Sequence, residues 1–345
     1  MIKVFIIDDA LLVRVTIKRI LSISKDIEVI GEAENPIDAF DEFKKVGLPD
    51  VFILDIEMPK MDGLTFLKRI QEQKPIPTVI CSTLVTEGSY KAIESLRLGA
   101  CDIILKPKVG LHNSIDDITD EFITKIKSAA QSKVISKSIN NIKRETTNRS
   151  LEKTNKIVGI GSSTGGVQTL EEIFINLLPN HSPIIVVQHM PAGFTASFAT
   201  RLNSICKNSI IKEAKEGDIL YHGQILIAPG DKHIEVVNER LFRYKVVLKD
   251  YPKVSSHKPS VDVLFTSLAK EVKKNSVAFI LTGMGKDGAA GIKKIKDVGG
   301  VTYGQDEKTS VVYGMPKVAF DIGGVSKQLA LNKVAGIINN LTFSH

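Results

Sequence analysis

The chain has 345 residues, 43% hydrophobic and 25% charged, which is ordinary for globular protein and long enough for two domains. A net charge of +7 without an arginine-rich block reads as a dispersed lysine-rich surface rather than a nucleic-acid-binding one. Cys81, Cys101 and Cys206 are too scattered for a disulfide framework or a zinc module, Asp8 and Asp9 interrupt the first apolar run, and no stretch is apolar for long enough to span a bilayer, so the expectation is a cytoplasmic protein.

Short apolar runs alternate with helical patterns through the first half. Strands are expected at Lys3 to Ile7, Ile27 to Ile30, Val51 to Leu54, Ile76 to Cys81 and Cys101 to Leu105. Helices are expected at Leu11 to Leu21, Ile37 to Phe43 and, closing the series, Ile115 to Ala130. Such alternation implies a parallel sheet with helices on both faces, and ligands bind beyond the carboxyl ends of its strands. Asp8, Asp9, Asp55, Ser82, Thr83 and Lys106 all fall at those ends. Converging carboxylates need a cation, and hard oxygen ligands suit Mg²⁺, which keeps waters and accepts a phosphoryl group. A single acid at a strand end is commonplace; the whole set is not.

From Gln131 to Lys156 the chain turns polar, with serines, asparagines and lysines and few large apolar residues. This reads as a flexible tether.

The second half opens on Ile157 to Gly166, an apolar strand running into Gly161-Ser162-Ser163-Thr164-Gly165 and then a helical pattern from Leu170 to Leu178. That fits a nucleophile elbow, with Ser163 on a tight strand-to-helix turn whose neighbours must lack bulk. A phosphate-binding loop is disfavoured because Val167 stands where its lysine belongs, and a dinucleotide site because Gln188 and His189 stand where its acid belongs. A plain helix cap is the bland alternative. A nucleophilic serine needs a base and an orienting acid. His189 follows a strand at Pro183 to Val187, and Asp287 follows one at Val277 to Leu281, before a helix from Ala289. In a parallel sheet these share one edge with Ser163. The order Ser, His, Asp is not that of the α/β-hydrolases, so a different α/β fold is expected. His181, His222, His233 and His257 lack ligand spacing, and no metal is assigned to this half.

These residues carry two resemblances. Ile6-Ile7-Asp8-Asp9, Leu54 to Pro59 with Asp62-Gly63, and Lys106-Pro107 resemble a flavodoxin-like (βα)5 response-regulator receiver. Residues 157 to about 341 resemble the catalytic domain of the chemotaxis protein-glutamate methylesterases, the CheB family. The matching motifs there are Gly161 to Gly166, Gln188 to Pro191, Ala228 to Asp231, His257 to Asp262, Leu281 to Gly288 and Val311 to Pro316. Lys286 departs from the pattern without touching an essential position.

The resemblance implies a receiver over residues 1–125, a linker over 126–155 and a doubly wound, mostly parallel α/β methylesterase domain over 156–345. Asp55 would accept the phosphoryl group, Asp8 and Asp9 would hold Mg²⁺ with it, Lys106 would pair with phosphoryl oxygens, and Ser82, preferred to Thr83, would be the switch hydroxyl. Ser163, His189 and Asp287 would demethylate γ-glutamyl methyl esters on chemoreceptors, and deamidate glutamines, with no cofactor. Backbone N–H groups of Thr164 or Met284 are the implied oxyanion donors. The implied partners are methyl-accepting chemoreceptors and the histidine kinase of the pathway; membrane is approached only through receptors. The unphosphorylated receiver would block the Ser163 edge.

A response regulator with a nucleic-acid-binding second half, and a phosphorelay-controlled oxidoreductase, are the competing readings. The first lacks a compact helix-turn-helix pattern, and the second rests on the Gly159 loop alone.

Overall fold

The structure, a computed structural model, describes residues 1–83, 86–107, 115–132, 155–240 and 243–341. Residues 133–154, most of the stretch read as a tether, lie outside the described residues. The chain forms two compact units.

The first alternates β1 (Ile2–Ile7), α1 (Leu11–Leu21), β2 (Ile27–Ala33), α2 (Pro36–Val46), β3 (Val51–Leu54), α3 (Gly63–Gln73), β4 (Thr78–Ser82), α4 (Thr86–Arg97), β5 (Asp102–Leu105) and α5 (Ile115–Ala130). Its parallel sheet has the order β2-β1-β3-β4-β5. Val51 to Leu54 are buried on both faces, as a central parallel strand requires. Strand β4 begins after Pro77, later than the apolar run suggested, because proline has no N–H for the ladder. Asn35 caps α2 by accepting from the N–H groups of Ile37 and Asp38, with Pro36 at the first helical position. Asp62 caps α3 in the same way through Thr65. The core on one face joins Val4, Ile6, Ile17, Ile53, Val79, Ile104 and Phe122.

The later part of the chain contains β6 (Ile157–Ser162), α6 (Gly166–Ile175), β7 (Ile184–Gln188), α7 (Phe194–Ile205), β8 (Ile210–Glu213), β9 (Gln224–Ile227), β10 (His233–Arg240), β11 (Arg243–Lys249), α8 (Val261–Glu271), β12 (Ser276–Ile280), α9 (Ala289–Asp297), β13 (Val301–Gln305), α10 (Met315–Asp321), β14 (Lys327–Leu329) and α11 (Leu331–Leu341). Among the described residues its parallel sheet runs β14-β13-β12-β6-β7-β9-β8, and β10 and β11 form a separate antiparallel pair. The fold is therefore mostly parallel α/β, as expected from sequence, with one added hairpin.

Helix α6 starts four residues before the expected Leu170, directly after the Ser163 turn. Gly159 and Gly161 lie inside β6, not in the turn. A Cβ at Gly161 would sit 2.2 Å from Val261 Cγ1, and one at Gly159 would sit 2.5 Å from Leu268 Cδ1. The glycines are there because α8 lies directly on the strand. No helix among the described residues is long and apolar enough to cross a membrane.

Candidate functional site

The first cluster stands where the order of the five-stranded sheet reverses, between β1 and β3. Strand pairing sets Ile7 beside Leu54, and the Asp55 N–H bonds the Ile7 carbonyl at 2.8 Å. Asp8 and Asp55 therefore emerge side by side at a topological switch point. Lys106, just after β5, reaches both: Nζ is 2.9 Å from Asp8 Oδ2 and 2.8 Å from Asp55 Oδ2. The Ala10 N–H holds Asp8 Oδ1 at 2.9 Å, and the Ile56 N–H holds Asp55 Oδ1 at 2.7 Å. Oxygens of Asp8, Asp9 and Asp55 lie within 4.8 Å of one another.

Burial raises the Asp55 carboxyl to about 6 against the pull of Lys106, with the Asp8 charge adding to the rise. Burial also raises Asp8. Burial alone would lower the Lys106 ammonium, but its contacts with Asp55 and Asp8 outweigh that and raise it. Carboxylates that pay for burial and mutual repulsion are what a divalent cation relieves, and the all-oxygen donor set fits Mg²⁺. Ser82 ends β4, buried, with its carbonyl accepting the Lys106 N–H at 2.9 Å; Thr83 is exposed.

The second cluster lies at the carboxyl ends of β6, β7 and β12, neighbours at the centre of their sheet. Ser163 is the first residue after β6. His189 is the first after β7, tied to β6 by its N–H on the Ser162 carbonyl at 3.0 Å. Asp287 lies in the loop between β12 and α9, and His189 Nε2 meets its Oδ2 at 2.8 Å. Both side chains are buried. A carboxylate only accepts, so Nε2 carries the proton in neutral His189 and Nδ1 holds the lone pair. Nδ1 is buried without a hydrogen-bond partner among the described residues.

Asp287 is gripped by the start of α8. The Ser260 hydroxyl donates to its Oδ1 at 2.6 Å, the Val261 N–H to Oδ2 at 2.7 Å and the Asp262 N–H to Oδ1 at 3.1 Å. Ser260 stands at the N-cap position yet makes no side-chain bond to its own helix. The carboxylate of Asp287 does that job from another segment, where the helix dipole also favours it. Burial would raise Asp287, but the bonds from His189, Ser260 and Val261 and the His189 charge hold it below the usual carboxylate range. Ser260 is itself fixed: its N–H donates to His233 Nδ1 at 3.2 Å, and His233 Nε2 donates to the Pro252 carbonyl at 3.1 Å.

Met284 lies half-buried in the loop after β12. The loop is pinned by the Gly283 N–H on the Val312 carbonyl at 3.0 Å and by the Gly314 and Met315 N–H groups on the Gly283 carbonyl at 3.1 and 2.8 Å. The Val311 to Pro316 motif thus braces the loop that carries Met284. Thr164 is buried at the start of the turn into α6.

His257 stacks on His189, with ring centroids 3.7 Å apart and planes 6° from parallel. Donor atoms of His189, His257 and Asp287 come within 4.8 Å of one another, although no metal was expected here. Two near-parallel planes never converge on one ion, so this is a poor ligand set. The roles of Ser260 and the stacking of His257 were not legible in the sequence. A serine two residues before an acid, ahead of Val261, Leu264, Phe265 and Leu268 at helical spacing, was the available signal for α8 and its start.

The five-stranded sheet defines a receiver, and the seven-stranded sheet an α/β domain with a serine, a histidine and an aspartate following its strands β6, β7 and β12. The family comparisons agree: residues 4–116 match the response regulator receiver domain, and residues 158–338 match the CheB methylesterase domain. The chain belongs to the CheB methylesterase family. A protein-glutamate methylesterase/protein-glutamine glutaminase 3 of Leptospira interrogans is 46% identical, covering 97% of this chain and 99% of that one. One of the same name from Shewanella oneidensis is 43% identical, covering 97% of this chain and 98% of its own. The crystal structure of the Thermotoga maritima CheB methylesterase catalytic domain is 41% identical with a TM-score of 0.52, covering 54% of this chain and 98% of that chain.

Proposed function

We propose that this chain is a phosphorylation-regulated hydrolase that demethylates γ-glutamyl methyl esters on chemoreceptors in chemotaxis and deamidates glutamines there. The observation that carries the reading is the His189–Asp287 pair, bonded at 2.8 Å beside the strand that ends one residue before Ser163. The names of the relatives, protein-glutamate methylesterase/protein-glutamine glutaminase, support the substrate class.

Ser163 Oγ attacks the ester carbonyl and His189 takes its proton at Nδ1. Asp287, ionised in its cradle, orients the ring and stabilises the imidazolium. Backbone N–H groups of Thr164 or Met284 receive the oxyanion, at a cost of about 3 kcal/mol of barrier for a lost donor. Methanol leaves with the proton from His189, and water then hydrolyses the acyl-enzyme. A glutamine side chain at the same site releases ammonia. No cofactor takes part in these steps.

Residues 1–125 act as the receiver, 126–155 as the connection and 156–345 as the catalytic domain. Asp55 accepts a phosphoryl group from the histidine kinase of the pathway. Asp8, Asp9 and Asp55 would hold Mg²⁺, which would supply positive charge to the phosphoryl oxygens when bound. Lys106 pairs with the same oxygens, and Ser82 is the switch hydroxyl. The site of action is the cytoplasm, with membrane contact only through receptors.

The test is mass analysis of methylated receptor peptides after incubation with the chain, Mg²⁺ and a small phosphodonor. Conversion of methyl glutamate to glutamate is expected, faster than without the phosphodonor, and Asp55→Asn removes the difference. Peptides left unchanged under both conditions contradict the reading.

A further inference from the structure

The His189 ring makes its hydrogen bond at one corner, Nε2 to Asp287 Oδ2. A single bond leaves an imidazole free to rock about that corner. The flat face of His257 lies against this ring, near parallel and 3.7 Å away.

His257 is held with unusual care. Val254 and His257 close a two-residue turn with reciprocal backbone bonds of 3.0 Å. The turn residues, Ser255 at φ 52° and Ser256 at φ 67°, are both left-handed, a conformation that residues with side chains keep only when their surroundings impose it. The His257 Nδ1–H donates to the Ser255 carbonyl at 2.7 Å. The Ser255 hydroxyl donates to Asp262 Oδ2 at 3.1 Å, and the Asp262 N–H donates to Asp287 Oδ1 at 3.1 Å. The brace on the ring and the acid that orients it therefore share the first turn of α8.

We propose that His257 is a positioning residue: its stacked ring keeps the His189 imidazole in the plane that presents Nε2 to Asp287 and leaves Nδ1 to take the Ser163 proton. This rests on the reading of His189 as the base.

The test uses the full chain, with Mg²⁺ and a small phosphodonor, on methylated receptor membranes. His257→Phe keeps a flat face without ring nitrogens; His257→Ala removes the face. His257→Ala is expected to lower kcat by about tenfold to a hundredfold with KM changed less than about twofold, because small misalignments of a catalytic group act on the chemical step. His257→Phe is expected to stay within about threefold of the parent kcat. Parent-like kcat in His257→Ala overturns the proposal. So does a Phe variant as slow as the Ala variant at unchanged melting temperature, or an effect confined to KM.

Ring-nitrogen NMR of histidine-labelled protein reads the same point without substrate. One His189 tautomer, protonated at Nε2, is expected in the parent and in His257→Phe, and averaged shifts in His257→Gln, which also stands in if the Ala variant does not fold. Identical His189 shifts in all three overturn the proposal. Failure of the underlying reading would look different: Ser163→Ala would release methanol as the parent does.

Discussion

The Ser260 hydroxyl donates to Asp287 Oδ1 at 2.6 Å, so the N-cap residue of α8 spends its side chain on an aspartate from another segment rather than on its own helix. Ser260→Ala is expected to lower kcat about tenfold, in the range seen when a partner that orients a functional side chain is removed. Stability should fall as well, by about 1–3 kcal/mol, because a buried carboxylate loses a donor, and Ser260→Thr should retain most of the activity. Steady-state kinetics beside melting curves check this. A variant with parent-like kcat would remove Ser260 from the support of Asp287.

Asp287 caps α8 with its carboxylate, so removing it acts twice. Asp287→Ala should abolish most turnover and also cost about 1–2 kcal/mol of stability, the value of a helix cap. Ser163→Ala should cost activity alone. Urea unfolding of the two variants separates these effects, and equal stability of both would contradict the capping role.

Gly161 has no room for a methyl group, because Val261 Cγ1 lies 2.2 Å from where its Cβ would be. Gly161→Ala is expected to destabilise by about 1–3 kcal/mol, the usual cost of overpacking. Adding Val261→Ala should recover part of that loss. Strict additivity of the two substitutions in unfolding experiments would show that strand and helix do not meet there.

His181 is buried between the Ser182 carbonyl and the Ser209 hydroxyl, at 2.8 Å from each. Burial holds its pKa below the ordinary 6.5. The folded chain therefore binds fewer protons than the unfolded chain as pH falls below that value, and stability drops until the lowered folded pKa is reached. The slope from this one group is at most about 1.4 kcal/mol per pH unit. His233, lowered by burial too, adds to it. Asp55 and Asp8, raised by burial, act in the opposite sense, so the reading is a difference: the melting temperature of His181→Gln should fall less on acidification than that of the parent, and an equal change in both would contradict the assignment.

The strands of the first sheet were legible because each holds a short apolar run, and α1, α2 and α5 because they keep helical spacing; α3 and α4 were not read from the sequence, and β2 runs on through Glu32 to Ala33 past the end of its apolar run. Ser163, His189 and Asp287 could be set on one edge because each follows an apolar run. The glycines of β6 were legible as necessary but for another reason: sequence next to Ser163 suggested a tight turn, whereas Val261 and Leu268 fill the space from a helix about a hundred residues downstream. The grip of α8 on Asp287 and the His257 stack were hidden for the same cause. They join segments far apart in the chain, and neither spacing nor composition reports which loop faces which helix end.

We propose Ser163 as the nucleophile of an esterase. Methanol release from methylated chemoreceptor membranes, with Mg²⁺ and a small phosphodonor present, tests it most directly when the intact chain is compared with folded Ser163→Ala. Release by the intact chain and none above background by the variant is expected. Equal release by both would contradict it.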